Sequence, residues 1–243
     1  MVGPLLWRGM LAGLLGAVLA ALFALAFAEP QVDLAIAVEA AHSAHDGMHA
    51  EPEIVSRATQ KGTGLFTALI LYGTAVGGLF ALLFAAGYGR VGGRTGPIGP
   101  RALALLLALA AFVIVALVPA LKYPPTPPAV GRHETVAVRT IAYFGMIGLS
   151  LLAAVAGGWA RRRLLPRRDG FDALVGGLLA YVAVVSVVQA LLPAIDEVPA
   201  DFPATLLWRF RLASLGSQLV LWLALGLVFG RLAERLLAAR RHA

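Results

Sequence analysis

The chain has 243 residues, of which 60% are hydrophobic and only 14% charged, and its mean hydropathy is +0.83. Soluble globular domains are much less apolar, so the composition excludes that class and predicts an integral membrane protein. The absence of cysteine excludes disulfides, thiolate metal ligands and cysteine nucleophiles. The net charge of +7 does not indicate a nucleic-acid partner, because most arginines lie in short segments between apolar runs.

Six apolar runs approach or exceed the roughly 20 residues that a helix needs to cross the bilayer. The runs are apolar on all sides, whereas the strands of a membrane barrel would alternate apolar and polar residues. We therefore predict an all-α, polytopic membrane protein with a single transmembrane domain, residues 1–243. Its six spans are expected at about residues 9–28, 65–87, 102–121, 140–159, 171–192 and 212–230.

The first run raises a question of processing. One early arginine, an apolar run and Ala26-Phe27-Ala28 resemble a signal peptide with its cleavage site. The run is about as long as a full span, however, and exceeds the roughly 7 to 15 residues of a signal core. This length favours an uncleaved first helix, while cleavage near Glu29 would leave five spans.

The connection after the first span, residues 29–63, holds three of the five histidines of the chain. His42, His45 and His49 are spaced i, i+3 and i+7, which places them within about 60° on one helical face. Imidazole with carboxylate support suits cobalt, nickel, zinc or copper. The pattern predicts a divalent-metal site, with a solvated polar loop as the alternative; its residues would be His42, His45, His49, Asp46 and Glu51.

Glycine and proline patterns describe the expected packing and topology. Gly73-x-x-x-Gly77 and Gly226-x-x-x-Gly230 match the small-xxx-small pattern, which serves internal packing and homo-oligomers alike. Residues 116–131 and 190–205 look like copies, ALVPALKYPPTPPAVG and ALLPAIDEVPADFPAT. With a weaker third copy between spans one and two, they favour three tandem helical hairpins. Proline is also common wherever a membrane helix stops.

No ionisable residue lies near the middle of any span, although ion-driven transporters usually carry such a relay. Neutral groups are the available lining for a metal pathway, with interhelical hydrogen bonds as their alternative role. These groups are Met146, Ser150, Gln189 and Gln218.

The segment before span six alternates arginines with aromatics, which is typical of anchoring at the membrane interface. An ion pair that orders an outer mouth is the other interpretation. Its candidate residues are Asp196, Glu197, Asp201, Arg209 and Arg211.

The distribution of charge predicts the orientation. Thirteen of the 20 Lys and Arg residues would lie on the side of the termini, so both termini are expected in the cytoplasm and the histidines outside. Ten of the 13 acids would lie outside, where they attract arriving cations. No phosphate-binding loop, nucleophile elbow or H-E-x-x-H motif is present, and we expect no enzyme.

Five segments carry a resemblance to a known family: VSRATQKGTGL, LVPALKYPPTPPAVG, TIAYFGM, LLPAIDEVPADFPATLLWRFRLASLG and LGLVFGRLAER. Together they resemble the CbtA-type predicted cobalt transporter subunit family, over almost the whole chain. The resemblance implies a bacterial inner-membrane protein linked to cobalt uptake for cobalamin biosynthesis. It also implies a partner, a small single-span, histidine-bearing CbtB-type subunit. The family's outer histidines correspond to His42, His45 and His49, in a thinner cluster here.

Two functions from different classes are compatible with these observations. The first is a membrane subunit of a cobalt or nickel uptake transporter, in which the outer histidines capture the metal and the helix bundle forms the conduit. The second is a non-transporting scaffold or accessory subunit that packs against a partner. No cofactor is expected besides the transported metal. Polar residues that face one another across a shared axis would favour the first function, and polar residues paired within separate helix contacts would favour the second.

Overall fold

The computed structural model describes residues 2–45, 55–91, 98–128, 130, 131 and 133–239. Those residues form helices and connecting turns, without a strand among them. Six helical segments are long and apolar enough to cross a membrane: Val2–Phe27, Arg57–Tyr88, Pro100–Lys122, Val136–Leu164, Gly170–Leu191 and Ala204–Ala239. The prediction of an all-α protein with six spans is confirmed.

Helix α1, Val2–Phe27, is followed after one residue by α2, Glu29–His45. The backbone hydrogen bond from Ala28 N to Ala24 O, at 2.8 Å, carries the helical path across the junction. Pro30 is tolerated because it lies in the first turn of α2, where a backbone N–H has no intrahelical partner. The first half of the 29–63 connection is therefore a helix rather than a loop.

The second span bends near its beginning. It consists of α3, Arg57–Thr59, a π-helical segment, Gln60–Gly64, and α4, Leu65–Val91. Gly62 has φ −94° and ψ −107°, which lies outside the helical region and kinks the chain there. Glycine accepts this geometry because it has no Cβ.

The third span changes its helical pitch in the middle. Helix α5, Pro100–Ala111, continues as a π-helical segment, Phe112–Leu117, and then as α6, Val118–Lys122. Pro119 lacks the N–H that would bond to the carbonyl of Val115, and its ring would clash with that carbonyl in a regular α-helix. The wider π turn immediately before Pro119 accommodates both effects.

The last three spans are single helices. They are α7, Val136–Leu164, α8, Gly170–Leu191, and α9, Ala204–Ala239. The helices are longer than the apolar runs because charged ends, such as Arg161–Arg163 on α7, continue them beyond the apolar part. Asp169 caps α8 by accepting a hydrogen bond from the backbone N–H of Asp172 at 2.8 Å.

The chain divides into two compact units. Unit 1 comprises Met1–Phe112, Pro127–Ala129 and Pro203–Ala243, and unit 2 comprises Val113–Thr126 and Val130–Phe202. In unit 1, α1 packs along α4 and α9, and α5 also packs along α9. Helix α2 contacts the beginning of α9. In unit 2, α7 packs along α8 and contacts α6. The three tandem hairpins stay a prediction, because spans five and six belong to different units.

Glycines bring α1 and α4 into backbone contact. Gly9 and Gly13 on α1 face Gly73 and Gly77 on α4. A Cβ added at Gly73 would lie only 2.5 Å from the Cβ of Ala17, and one at Gly77 would overlap the carbonyl oxygen of Gly9. The Gly73-x-x-x-Gly77 motif therefore serves packing within the chain, against a matching Gly9-x-x-x-Gly13 pair.

The second glycine motif has the same role between α9 and α5. A Cβ at Gly226 would approach the Cβ of Ala108 to 2.7 Å, and one at Gly230 would approach that of Ala104 to 3.2 Å. In contrast, no described atom apart from the backbone of α7 itself lies within 4 Å of a Cβ built at Gly145. A side chain is thus excluded at the glycines where these helices touch, whereas Gly145 has room for one.

We expect Gly77→Ala to lower the melting temperature in detergent, because the new methyl group would force α1 and α4 apart at a cost of about 1 to 3 kcal/mol. Gly145→Ala is the matched control, since it adds the same methyl group to an open helix surface. There alanine should be neutral or stabilising, by up to about 1 kcal/mol. Equal melting temperatures for Gly77→Ala and the native protein would contradict the proposed contact.

Candidate functional site

The predicted metal site begins at the end of α2. His42 and His45 lie in its last helical residues, one turn apart. Asp46, His49 and Glu51 lie outside the described residues. Within the part of the chain that the structure describes, no group of three His, Cys, Asp or Glu side chains could hold a metal ion. Coordination by the five residues stays a prediction.

Two carboxylates at the beginning of the 29–63 connection and two cations near its end form one ion-pair cluster. Arg57 Nε lies 3.0 Å from Asp33 Oδ1, and its Nη2 pairs with Glu29. Lys61 Nζ lies 3.1 Å from Asp33 Oδ2. The cluster ties the beginning of α2 to the beginning of the second span, so it closes the chain segment that contains the histidines.

Sequence reasoning did not identify this cluster, although a signal was available. Glu29 and Asp33 are four residues apart, and so are Arg57 and Lys61. A spacing of four places each pair on one side of a helical turn, so two acids face two bases. The sequence does not show that the two pairs are partners, because only the fold brings the beginnings of α2 and the second span together.

The two cations change the acidity of Asp33. Hydrogen bonds from Lys61, and then from Arg57, stabilise the carboxylate and lower the pKa of Asp33 below its ordinary value. The Asp33 side chain is about two-fifths exposed, so solvent and salt screen the interaction. The cluster therefore contributes little to the stability of the fold.

A polar cluster lies inside unit 2, between α7 and α8. Ser150 and Met146 are fully buried and lie one turn apart on α7. The Ser150 hydroxyl and the Tyr181 hydroxyl of α8 are 3.0 Å apart and share a hydrogen bond. Met146 packs in the apolar cluster around them, with Val118 and Val185. Two of the predicted pathway residues are therefore neighbours.

The two glutamines lie in different units. Gln189 Nε2, on α8, donates a hydrogen bond to the carbonyl oxygen of Val118 at 3.2 Å. Gln218 is half-buried on α9, which belongs to unit 1. The described partners of Ser150 and Gln189 are thus on adjacent helices. Each contact is the kind of interhelical hydrogen bond that holds membrane helices together.

The two proline-rich copies contact one another in unit 2. Tyr123 donates a hydrogen bond to the carbonyl oxygen of Pro193 at 3.0 Å. Glu197 pairs with Arg139 at the beginning of α7, with Nε and Oε2 3.5 Å apart. Asp196 accepts a hydrogen bond from the backbone N–H of Val198 at 3.3 Å. Arg139 is a partner of Glu197 that sequence reasoning did not consider.

The other members of the predicted outer mouth are divided between the units. Asp196, Glu197 and Asp201 belong to unit 2, whereas Arg209 and Arg211 belong to α9 in unit 1. Arg209 lines a crevice between α9, the end of α1 and α2. An ion pair between these arginines and the three acids stays a prediction.

The sequence matches a known protein family along nearly all of its length. A family model described as "Probable cobalt transporter subunit (CbtA)" matches residues 2–234, which reach into all six spans and include the histidine-bearing connection. The chain belongs to the CbtA family. No curated protein and no solved structure matches the chain. Membership confirms the resemblance in the sequence and places this protein among membrane transporter subunits, which implies at least one further subunit.

We expect the ion-pair cluster of this CbtA family member to respond to acid. Because the pKa of Asp33 is lowered on folding, its contribution to stability is fully present above the unfolded value near 3.9 and is lost as pH falls through the folded value. Asp33→Asn should remove part of the fall in melting temperature below about pH 4. High salt should reduce the difference.

Glu39→Gln on the same helix is the control, since Glu39 makes no ion pair within the described residues. It should leave the acid sensitivity unchanged. Identical pH profiles for the native protein and Asp33→Asn would show that the cluster contributes nothing measurable.

Proposed function

We propose that this protein is the membrane subunit of a cobalt uptake transporter, that residues 42–51 capture the metal, and that the helices provide its route. The observation that carries the proposal is the match to the CbtA family over residues 2–234, which covers every span. Nickel is the alternative cargo, because imidazole and carboxylate ligands bind both ions. The role is transport rather than catalysis.

The capture site is proposed at the histidines because the ion-pair cluster holds the two ends of their chain segment together. His42 and His45 lie at the end of a helix whose beginning is tied to the second span by Arg57 and Lys61. That tie limits how far the two ends of the connection can separate, which lowers the entropy lost when ligands gather around an ion. The bias of Lys and Arg supports an outward-facing connection, with both termini in the cytoplasm of a bacterial cell.

The proposed conduit passes the buried groups of unit 2. Met146 offers a thioether, and Ser150 and Tyr181 offer hydroxyl oxygens within one buried cluster. Neutral ligands of this kind hold a divalent cation weakly, which suits passage better than storage. A helix whose pitch changes next to Pro119 lies in the same unit and supplies Val118 to the cluster.

A second function, that of a scaffold, is favoured by the hydrogen bonds themselves. Ser150 pairs with Tyr181 and Gln189 pairs with the carbonyl of Val118, so each polar group is satisfied by a neighbouring helix. Such bonds hold a bundle together without any pathway. In this case the chain would bind a second subunit that conducts the metal.

The second subunit is proposed to be a small, single-span, histidine-bearing CbtB-type protein, and the pathway served would be cobalamin biosynthesis. The description of the family as a transporter subunit supports the existence of a further subunit. Uptake should therefore be measured in cells that express the chain alone and with that partner. Uptake equal to that of empty cells in both cases would exclude the permease.

We expect the triple variant His42→Ala, His45→Ala, His49→Ala to reduce cobalt uptake most at low external cobalt, because capture then limits transport. Calorimetry on the purified native protein should show weak binding of one Co²⁺ or Ni²⁺. The affinity for the metal should decrease as the pH falls through about 6.5, the ordinary pKa of histidine, since protonated imidazole cannot bind metal. Replacement of Glu39, outside the predicted site, is the control. Equal metal binding by native protein and triple variant would place the site elsewhere.

The variant Met146→Leu distinguishes the conduit hypothesis from the scaffold hypothesis. Leucine preserves the volume of a fully buried side chain at a cost below about 1.5 kcal/mol, but it removes the sulfur. If the chain is a conduit, the uptake rate should fall several-fold while the melting temperature changes little. Met10→Leu, at a partly exposed position on α1, is the matched control. Uptake that is unaffected by Met146→Leu would support the scaffold.

A further inference from the structure

A crevice of about 400 Å³ lies in unit 1 where α1 ends and α9 begins. Phe23 and Phe27, from the last turns of α1, form its apolar part together with Leu212 and Ala213 of α9. The rings of Phe23 and Phe27 are 4.6 Å apart, and Phe27 and Leu212 are about half exposed. An apolar chain in the bilayer can therefore reach the crevice from the side.

Two polar side chains border the crevice. Gln31 of α2 and Arg209 of α9 line it, and both also line a second, mostly apolar cavity of about 480 Å³ along α2. They therefore mark the boundary between the crevice and the part of unit 1 beyond the first span. The Gln31 carboxamide oxygen is shielded from solvent and accepts no hydrogen bond from the residues that the structure describes. A buried acceptor without a donor is costly, so a donor from a ligand would be favourable here.

The apolar part and the polar border of the crevice match the acyl chain and the headgroup of a phospholipid. Among the residues that the structure describes, Arg209 is the only charged side chain that lines either cavity, and a guanidinium binds phosphate through paired N–H groups. The neighbouring Trp208 is 62% exposed, as expected for a side chain at headgroup depth. The apolar walls come from residues within the expected apolar runs 9–28 and 212–230, whereas Arg209 precedes the second of these runs.

We propose that this crevice binds one phospholipid. Its phosphate lies at Arg209, an acyl chain lies against Phe23, Phe27 and Leu212, and a headgroup hydroxyl or ammonium donates to Gln31. The bound lipid fills the gap between the end of α1 and the beginning of α9. It thereby supports the contact between these helices at the end where α2 leaves the bundle. Phosphatidylglycerol and phosphatidylethanolamine have the required donor, whereas phosphatidylcholine does not.

The test is native mass spectrometry of the full chain in detergent, with phosphatidylglycerol or phosphatidylcholine added. The native protein should retain one phosphatidylglycerol molecule more strongly than phosphatidylcholine. Arg209→Gln should weaken phosphatidylglycerol binding about ten-fold, as the loss of a charge-assisted hydrogen bond predicts. Gln31→Leu should reduce the preference for phosphatidylglycerol over phosphatidylcholine, because it removes only the acceptor.

Arg211→Gln is the matched control, since Arg211 lies two residues further along α9 and does not line either cavity. It should bind lipid as the native protein does. Leu212→Trp fills the crevice at an exposed position and should displace the lipid without loss of the fold, which a melting curve checks. Equal lipid binding by the Arg209 and Arg211 variants would overturn the proposal. So would recovery of a second copy of the chain or another polypeptide in the crevice instead of lipid.

Discussion

The backbone contact between α1 and α4 is the constraint on which unit 1 depends. Lipid tails are as apolar as leucine, so helices in a bilayer associate through close packing rather than through exclusion of water. Gly9 and Gly13 approach Gly73 and Gly77 so closely that none of the four positions has room for a side chain. The same helix α1 packs on α9, and α9 packs on α5 through Gly226 and Gly230. Two glycine contacts and the packing of α1 on α9 thus hold four helices together.

Unit 2 combines one glycine contact with hydrogen bonds. A Cβ on Gly157 of α7 would lie 2.7 Å from the carbonyl oxygen of Gly177 on α8, so these helices also touch. Away from that point, the Ser150–Tyr181 pair and the bond from Gln189 to Val118 connect the helices. Bonds between membrane helices contribute about 0.6 to 2 kcal/mol each. Packing therefore relies on the same few polar residues that the proposed metal pathway would use.

The segment before the histidines connects the membrane part to the proposed capture site. Helix α2 continues α1 almost without interruption, and Glu29 and Asp33 near its beginning pair with Arg57 and Lys61. The charges satisfy one another, so the acids of this cluster attract a metal less than their number suggests. Metal binding would then rest on the predicted ligands His42, His45, His49, Asp46 and Glu51.

The sequence by itself determined the class, the number of spans and the family. Apolar length was sufficient for the spans, because a backbone in lipid must satisfy its own hydrogen bonds and a helix does so locally. The sequence also identified the Gly73 and Gly226 motifs but only one side of each contact. Tertiary structure supplied the other sides: Gly9 for Gly77, Tyr181 for Ser150, and Arg57 for Asp33. It also distinguished two similar prolines, since Pro119 lies within a helix and Pro193 follows one. Those outcomes depend on the rotation and approach of helices far apart in the chain, which no local pattern encodes.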